Sequence, residues 1–126
     1  MDEDLARKVI GAAIEVHRHL GPGLLESSYS VALAREFALV GIEAEREYRV
    51  VASYKGMVLQ DAYRLDYLVG RCVVVELKAT ERILPIHKAQ LLTYLRWTQL
   101  RLGLLINFNV PLLRDGICRV VNGAYL

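Results

Sequence analysis

Apolar residues repeat at two different spacings along this chain, and the change falls at Gly41. Leu5, Val9, Ala12, Ala13, Val16 and Leu20 recur at helical spacing, with Glu3, Lys8, Glu15 and Arg18 turned outward. That predicts a helix over 3–20, stopped by Gly21-Pro22-Gly23. A second helix is expected over 24–40, with Leu25, Tyr29, Ala32, Leu33, Phe37 and Val40 on one stripe and Gly41 at its C-terminal end. Beyond Gly41 the period becomes two. Strands are predicted over 44–54 and 57–69 around a Lys55-Gly56 turn, and over 72–79 after Gly70-Arg71. Pro85 suits the start of a helix ending near Gln99 or Arg101. A short apolar strand over 102–108, a loop over 109–116 and a last strand over 117–121 complete the order α-α-β-β-β-α-β-β. This is an α+β pattern with a mixed sheet, and 126 residues suit one domain over 1–126.

Composition narrows the class. At 54% hydrophobic the chain can build a core, and at 24% charged it is not a disordered tail. A net charge of +2 neither demands nor forbids a polyanionic partner. Cys72 and Cys118 lack a CxxC spacing, so buried free thiols are expected rather than a zinc site or a disulfide framework. The opening MDEDLARK is acidic and then amphipathic, unlike a signal peptide, and no apolar run approaches the ~18 residues of a membrane span. A cytoplasmic protein without a membrane partner is the expectation. His17 and His19 point about 200° apart on a helix and do not suit one ion. No P-loop and no GxSxG element is present.

Three charges fall inside strands that otherwise read as core. In CVVVELKATER (residues 72–82) Glu76 and Lys78 share one face, roughly 7 Å apart, while Val73, Val75 and Leu77 face the other way. In the preceding strand Tyr63, Leu65, Tyr67 and Val69 form an apolar set, and Arg64, Asp66 and Leu68 oppose it. A two-residue loop would set Asp66 against Val75. An odd loop, Gly70-Arg71-Cys72, sets Asp66 against Glu76 and Leu65 against Leu77, and keeps the apolar sets together. The carboxylates of Asp66 and Glu76 are therefore expected to converge. Convergent acids repel and need a cation. Lys78 offers one charge, and a divalent ion offers two. Oxygen ligands alone suit Mg²⁺ or Mn²⁺ better than zinc. A buried Asp-Lys-Glu ion-pair network without catalysis fits the same spacing.

Asp66 followed by Glu76-Leu77-Lys78 across a hairpin resembles the active-site signature of the PD-(D/E)XK nuclease superfamily, with Leu65 where a proline usually stands. Gln90 and Tyr94, four apart on the following helix, resemble the QxxxY element of its exonuclease-like branch. GLLESSY (residues 23–29) is similar to the motif that names the bacterial GxxExxY proteins, with Gly23, Glu26 and Tyr29 in the named positions, and HRHLGP and ELKA fit the same group. The resemblance spans nearly the whole chain. It implies a restriction-endonuclease-like fold with an αβββαβ core and a metal-dependent phosphodiesterase acting on nucleic acid, DNA foremost. Within it Asp66, Glu76 and Glu26 would hold the metal, Lys78 would position or activate water, and Gln90 and Tyr94 would orient the substrate or the lysine. A helix-end charge is the plain alternative for Glu26, and boundary packing is the alternative for Gln90 and Tyr94. Lys78, Arg82, Lys88, Arg96 and Arg101 give the region after the motif a basic lean, either a phosphate-tracking rim or a solvated face. A non-catalytic binding module on the same fold, and a homodimer covering an exposed strand edge, stay open.

Overall fold

The computed structural model describes residues 1–125. It opens with two helices, α1 (Asp2–Leu20) and α2 (Glu26–Val40). The strands β1 (Ala44–Tyr54), β2 (Met57–Val69) and β3 (Val73–Lys78) follow, then α3 (Pro85–Thr98), β4 (Leu102–Asn107) and β5 (Ile117–Val121). All five strands form one sheet in chain order. Neighbours run antiparallel except β3 and β4, which are parallel because α3 carries the chain back between them. The α+β pattern with a mixed sheet is thus the observed one, and the predicted elements fall within a few residues of their places.

Each face of the sheet buries its own core. Val9, Ala13 and Val16 of α1 and Tyr29, Leu33 and Phe37 of α2 pack on Val75, Leu77, Leu104 and Ile106. On the opposite face Leu91 and Leu95 of α3 pack on Leu65, Leu68, Val74 and Leu105. Each such side chain taken fully out of water contributes about 1.5–3 kcal/mol. The central strands β3 and β4 are covered on both sides, which is why they read as continuous apolar runs. A Cβ on Gly103 would lie 2.8 Å from the Leu91 side chain, so this glycine sets how closely α3 approaches β4.

Two local devices aim the ends of these elements. Gly41 closes α2 in the left-handed region (φ 75°), as its place in the sequence suggests. At the other end the Tyr29 hydroxyl donates to the Gly21 carbonyl (2.6 Å) and accepts the Leu24 N–H (3.1 Å). Its ring stacks on Phe108 at 4.5 Å. Tyr29 therefore clamps the glycine-proline turn and fixes where α2, and with it Glu26, begins. His17 is buried, with Nε2 2.8 Å from the Val110 carbonyl, and His19 pairs with Glu15; both are structural. Cys72 and Cys118 are free thiols, half-buried rather than fully buried.

One expectation fails in β2. Tyr63, Leu65, Tyr67 and Val69 do not share a face. Tyr67 and Val69 join the core under α1 and α2, whereas Leu65 and Tyr63 join the core under α3. The strand turns over at Asp66, and β1 kinks beside it, where Glu47 takes a left-handed backbone (φ 55°). Beyond that point β3 no longer pairs with β2, whose residues paired with β3 are Tyr67, Leu68 and Val69. The rest of β1 and β2 extends as a two-stranded ribbon, with Val51, Tyr54, Met57, Val58 and Leu59 exposed.

Candidate active site

The turn between β2 and β3 places Gly70 and Arg71 at positive φ and pairs Val69 with Val73. That is the register of the odd loop. Tyr67 faces Val75, so Asp66 stands opposite Glu76 at the next step. Here the main-chain ladder gives way to side chains. The Asp66 N–H donates to Glu76 Oε2 at 2.7 Å, and the Leu77 N–H donates to Asp66 Oδ2 at 2.7 Å. Each carboxylate closes the backbone of the other strand. This exchange splays the strands and accounts for the kink. It also overturns the expected Leu65–Leu77 pairing, because those residues end in different cores.

Glu76 is 3% exposed. Its second oxygen, Oε1, accepts the Tyr63 hydroxyl at 2.7 Å, and the Tyr63 ring stacks on Tyr94 with centroids 3.8 Å apart and planes at 14°. Tyr94 therefore reaches the carboxylates through Tyr63. Gln90, one turn earlier on α3, is exposed at the rim. Burial, then the charge of Asp66, pushes the Glu76 carboxyl up to about 8, against the pull of the Asp66 N–H, the Tyr63 hydroxyl and Lys78. Asp66 is raised too, chiefly by burial, with the Leu77 N–H, Lys78 and Arg46 opposing. Glu26 is exposed at the first turn of α2. Partial burial and the charge of Asp66 raise it, and Lys78 lowers it. Asp66 and Glu76 thus converge, as the strand pattern predicts, and Lys78 and Glu26 lie close enough to share their electrostatic field.

Neighbouring polar groups hold this neighbourhood in place. The Lys78 carbonyl accepts the Phe108 N–H at 2.9 Å. Asn107, 1% exposed, accepts the Thr80 and Asn109 N–H groups at 3.1 Å each and donates to the Thr80 carbonyl at 2.9 Å. The chain just after Lys78 is therefore pinned to the end of β4. Arg46 of β1 donates to Ser30 Oγ at 3.2 Å, and Ser30 shares a helix face with Glu26. Sequence reasoning did not single out Tyr63 or Asn107. For Tyr63 the available signal was a tyrosine three residues before the aspartate, and for Asn107 a lone polar residue ending an otherwise apolar strand. Arg101, placed by its position in the basic rim, is engaged elsewhere: it pairs with Asp2 at 2.8 Å and Glu3 at 2.5 Å and ties α1 to the sheet. A separate groove of about 440 Å³, between α1 and the end of α2, is not part of this site.

A model described as the PD-(D/E)XK nuclease superfamily matches residues 3–120. The chain belongs to the PD-(D/E)XK nuclease superfamily. No curated protein and no solved structure matches it. The sheet and helices described above agree with the restriction-endonuclease-like fold of that superfamily. PD-(D/E)XK nucleases generally use divalent metals. Among the described residues no three His, Cys, Asp or Glu side chains are grouped so as to hold an ion, so Asp66, Glu76 and Glu26 do not form a complete three-carboxylate shell. The chemistry of the donors nonetheless fits a hard cation. They are carboxylate oxygens, the charge of Asp66 adds to burial in raising the proton affinity of Glu76 and Glu26, and each ionised carboxylate offers about four lone-pair sites. Glu76 can keep its two hydrogen bonds and still donate. No helix among the described residues is long and apolar enough to cross a membrane.

Proposed function

We propose that this chain is a metal-dependent nuclease that hydrolyses phosphodiester bonds, foremost in DNA, and that it is one of the GxxExxY group. The observation that carries this is the reciprocal exchange by which Asp66 and Glu76 hold each other's strands open beside Lys78. A scaffold needing only a sheet would complete the ladder with main-chain bonds. Instead two acids are kept together at a cost in repulsion and desolvation. Asp66 and Glu76 would hold Mg²⁺ or Mn²⁺, with Glu26 assisting from α2. The ion, when bound, supplies stabilisation of charge on the phosphate and a more acidic water.

The remaining roles fall to the chain itself. Lys78 orients the attacking water and offsets negative charge gathering on the phosphate. Tyr63, backed by Tyr94, fixes the rotamer of Glu76. Gln90 stands at the rim, where it can donate to a phosphate oxygen. Tyr29 sets the start of α2 and so the reach of Glu26, which gives the Gly23-Glu26-Tyr29 spacing a mechanical purpose.

A second reading, a non-catalytic nucleic-acid-binding module, is favoured by one observation: both Glu76 oxygens are already engaged inward. A Mn²⁺-dependent cleavage assay on single- and double-stranded DNA and RNA separates the two. The nuclease reading expects cleavage that Asp66→Ala, Glu76→Ala and Lys78→Ala each abolish. Cleavage that survives in either acid variant removes this mechanism. Nucleic-acid binding with no heat from Mn²⁺ in calorimetry points to the module.

A further inference from the structure

A second grouping of like charges lies on the β1–β2 ribbon. Tyr48 and Val50 of β1 and Tyr63 and Leu65 of β2 turn toward the core under α3. Arg49 and Arg64, which alternate with them, therefore face the other side, the side of α2. The two arginines are direct cross-strand partners. Like charges placed directly opposite on a sheet repel. Asp61 lies 3.5 Å from Arg49 and compensates it in part, through an exposed contact. Among the described residues no carboxylate lies within ion-pair distance of Arg64. Arg46, past the kink, is paired with Tyr67 of the α1–α2 core and so continues this face toward Ser30 and Glu26.

The position of this face matters as much as its charge. Arg64 precedes Asp66 by two residues, about 7 Å along the strand. The arginine positions Arg49, Arg64 and Arg46 thus follow the ribbon down to Asp66, with the acid Glu47 also close to Asp66. Guanidinium forks bind phosphate oxygens in pairs, and an anion laid between Arg49 and Arg64 would turn their repulsion into attraction.

We propose that the Arg49–Arg64 face of the ribbon, continued by Arg46, is the surface that grips the sugar–phosphate backbone of DNA and leads it to Asp66 and Lys78. The proposal rests on the nuclease reading for where the scissile bond lies, but the grip itself needs no metal and no cleavage.

The test is fluorescence anisotropy with a short labelled DNA duplex in EDTA, across a salt series. Wild-type protein should bind. Arg49→Ala/Arg64→Ala should weaken binding about tenfold or more and flatten the slope of log affinity against log salt by about 2, at ~0.9 for each phosphate no longer neutralised. Arg64→Glu, which can pair with Arg49, should bind still less while its Tm is unchanged or higher, so the weaker binding cannot come from unfolding. Wild-type affinity and salt slope in the double variant would overturn the proposal, as would a wild-type protein that does not bind the duplex. If the arginine variants fail to bind but the wild type never cleaves with Mn²⁺, this surface stands and the catalytic reading falls. If cleavage is metal-dependent and the double variant binds normally, the catalytic reading stands and this surface falls.

Discussion

The two like-charge groupings flank the kink in β2 and differ in their solvent. Asp66 and Glu76 are withdrawn from water, and burial, joined at Glu76 by the charge of Asp66, leaves both carboxyl groups holding protons more tightly than usual. Arg49 and Arg64 stand in water on a ribbon with no third strand, where screening keeps their repulsion small. The buried acids can discharge their strain by taking up a proton or a cation. The exposed arginines can do so only by meeting an anion. On the proposed nuclease reading, the arrangement just inside the surface would take a cation and the complementary one just outside would take the polyanion, both close to Asp66.

The sharpest way to break this comparison is to neutralise one acid. Glu76→Gln should lower Mn²⁺-dependent cleavage on the order of 10³-fold or more, since the negative charge and one of the two donor oxygens are removed. The same variant should leave metal-free DNA binding intact in anisotropy, because the arginine face is untouched. A parallel fall in binding would mean that the two groupings are not separable.

A pH series of thermal melts sharpens the acid side. The folded-state carboxyl of Glu76 is raised from 4.5 to about 8, so the folded chain binds the extra proton. Its contribution to stability is full below about pH 4.5 and is lost as pH rises through about 8, by a few kcal/mol at most. The raised carboxyls of Asp66 and Glu26 act in the same direction. Melting temperature in EDTA should therefore fall across this window. Mn²⁺ should restore it at the alkaline end, where the ion replaces the proton. Glu76→Gln should flatten the decline.

Two smaller effects concern the supports. Asn107→Ala removes three hydrogen bonds and leaves the N–H groups of Thr80 and Asn109 without that partner, which should cost about 2–3 kcal/mol in chemical denaturation. Tyr63→Phe should cost about 1–2 kcal/mol in the same measurement and weaken Mn²⁺ binding about severalfold in calorimetry, because the hydroxyl that favours ionised Glu76 is gone. Unchanged Mn²⁺ affinity would make Tyr63 a packing residue alone.

Much of this architecture is legible in the order of residues. The helical stripe of α1, the left-handed stop at Gly41, Pro85 at the head of α3 and the apolar run of β4 are local signals, and local physics enforces them. The odd loop between β2 and β3 follows from the cost of turning a strand inside out, and it holds for Tyr67 to Val69. The same logic fails two residues away. It assumes that an unbroken alternation continues through Asp66, whereas the aspartate side chain takes over a main-chain position and the strand rolls over. A period-two pattern records which side chains are apolar, not which ones replace the ladder. Arg101 and Tyr63 escape such reasoning for a related cause: their partners, Asp2, Glu3 and Glu76, lie far off in the chain.

By itself the sequence determined the order of elements, the mixed sheet and the set of charged residues at the end of β3, because spacing, turns and the cost of buried charge are properties of short stretches. Tertiary structure alone decided that Asp66 and Glu76 hold each other's backbones, that Tyr63 secures Glu76, and that Arg49 and Arg64 share the face leading to them. Those outcomes depend on where two strands separate, and that is fixed by which long-range hydrogen bonds win when side chain and main chain compete for the same N–H.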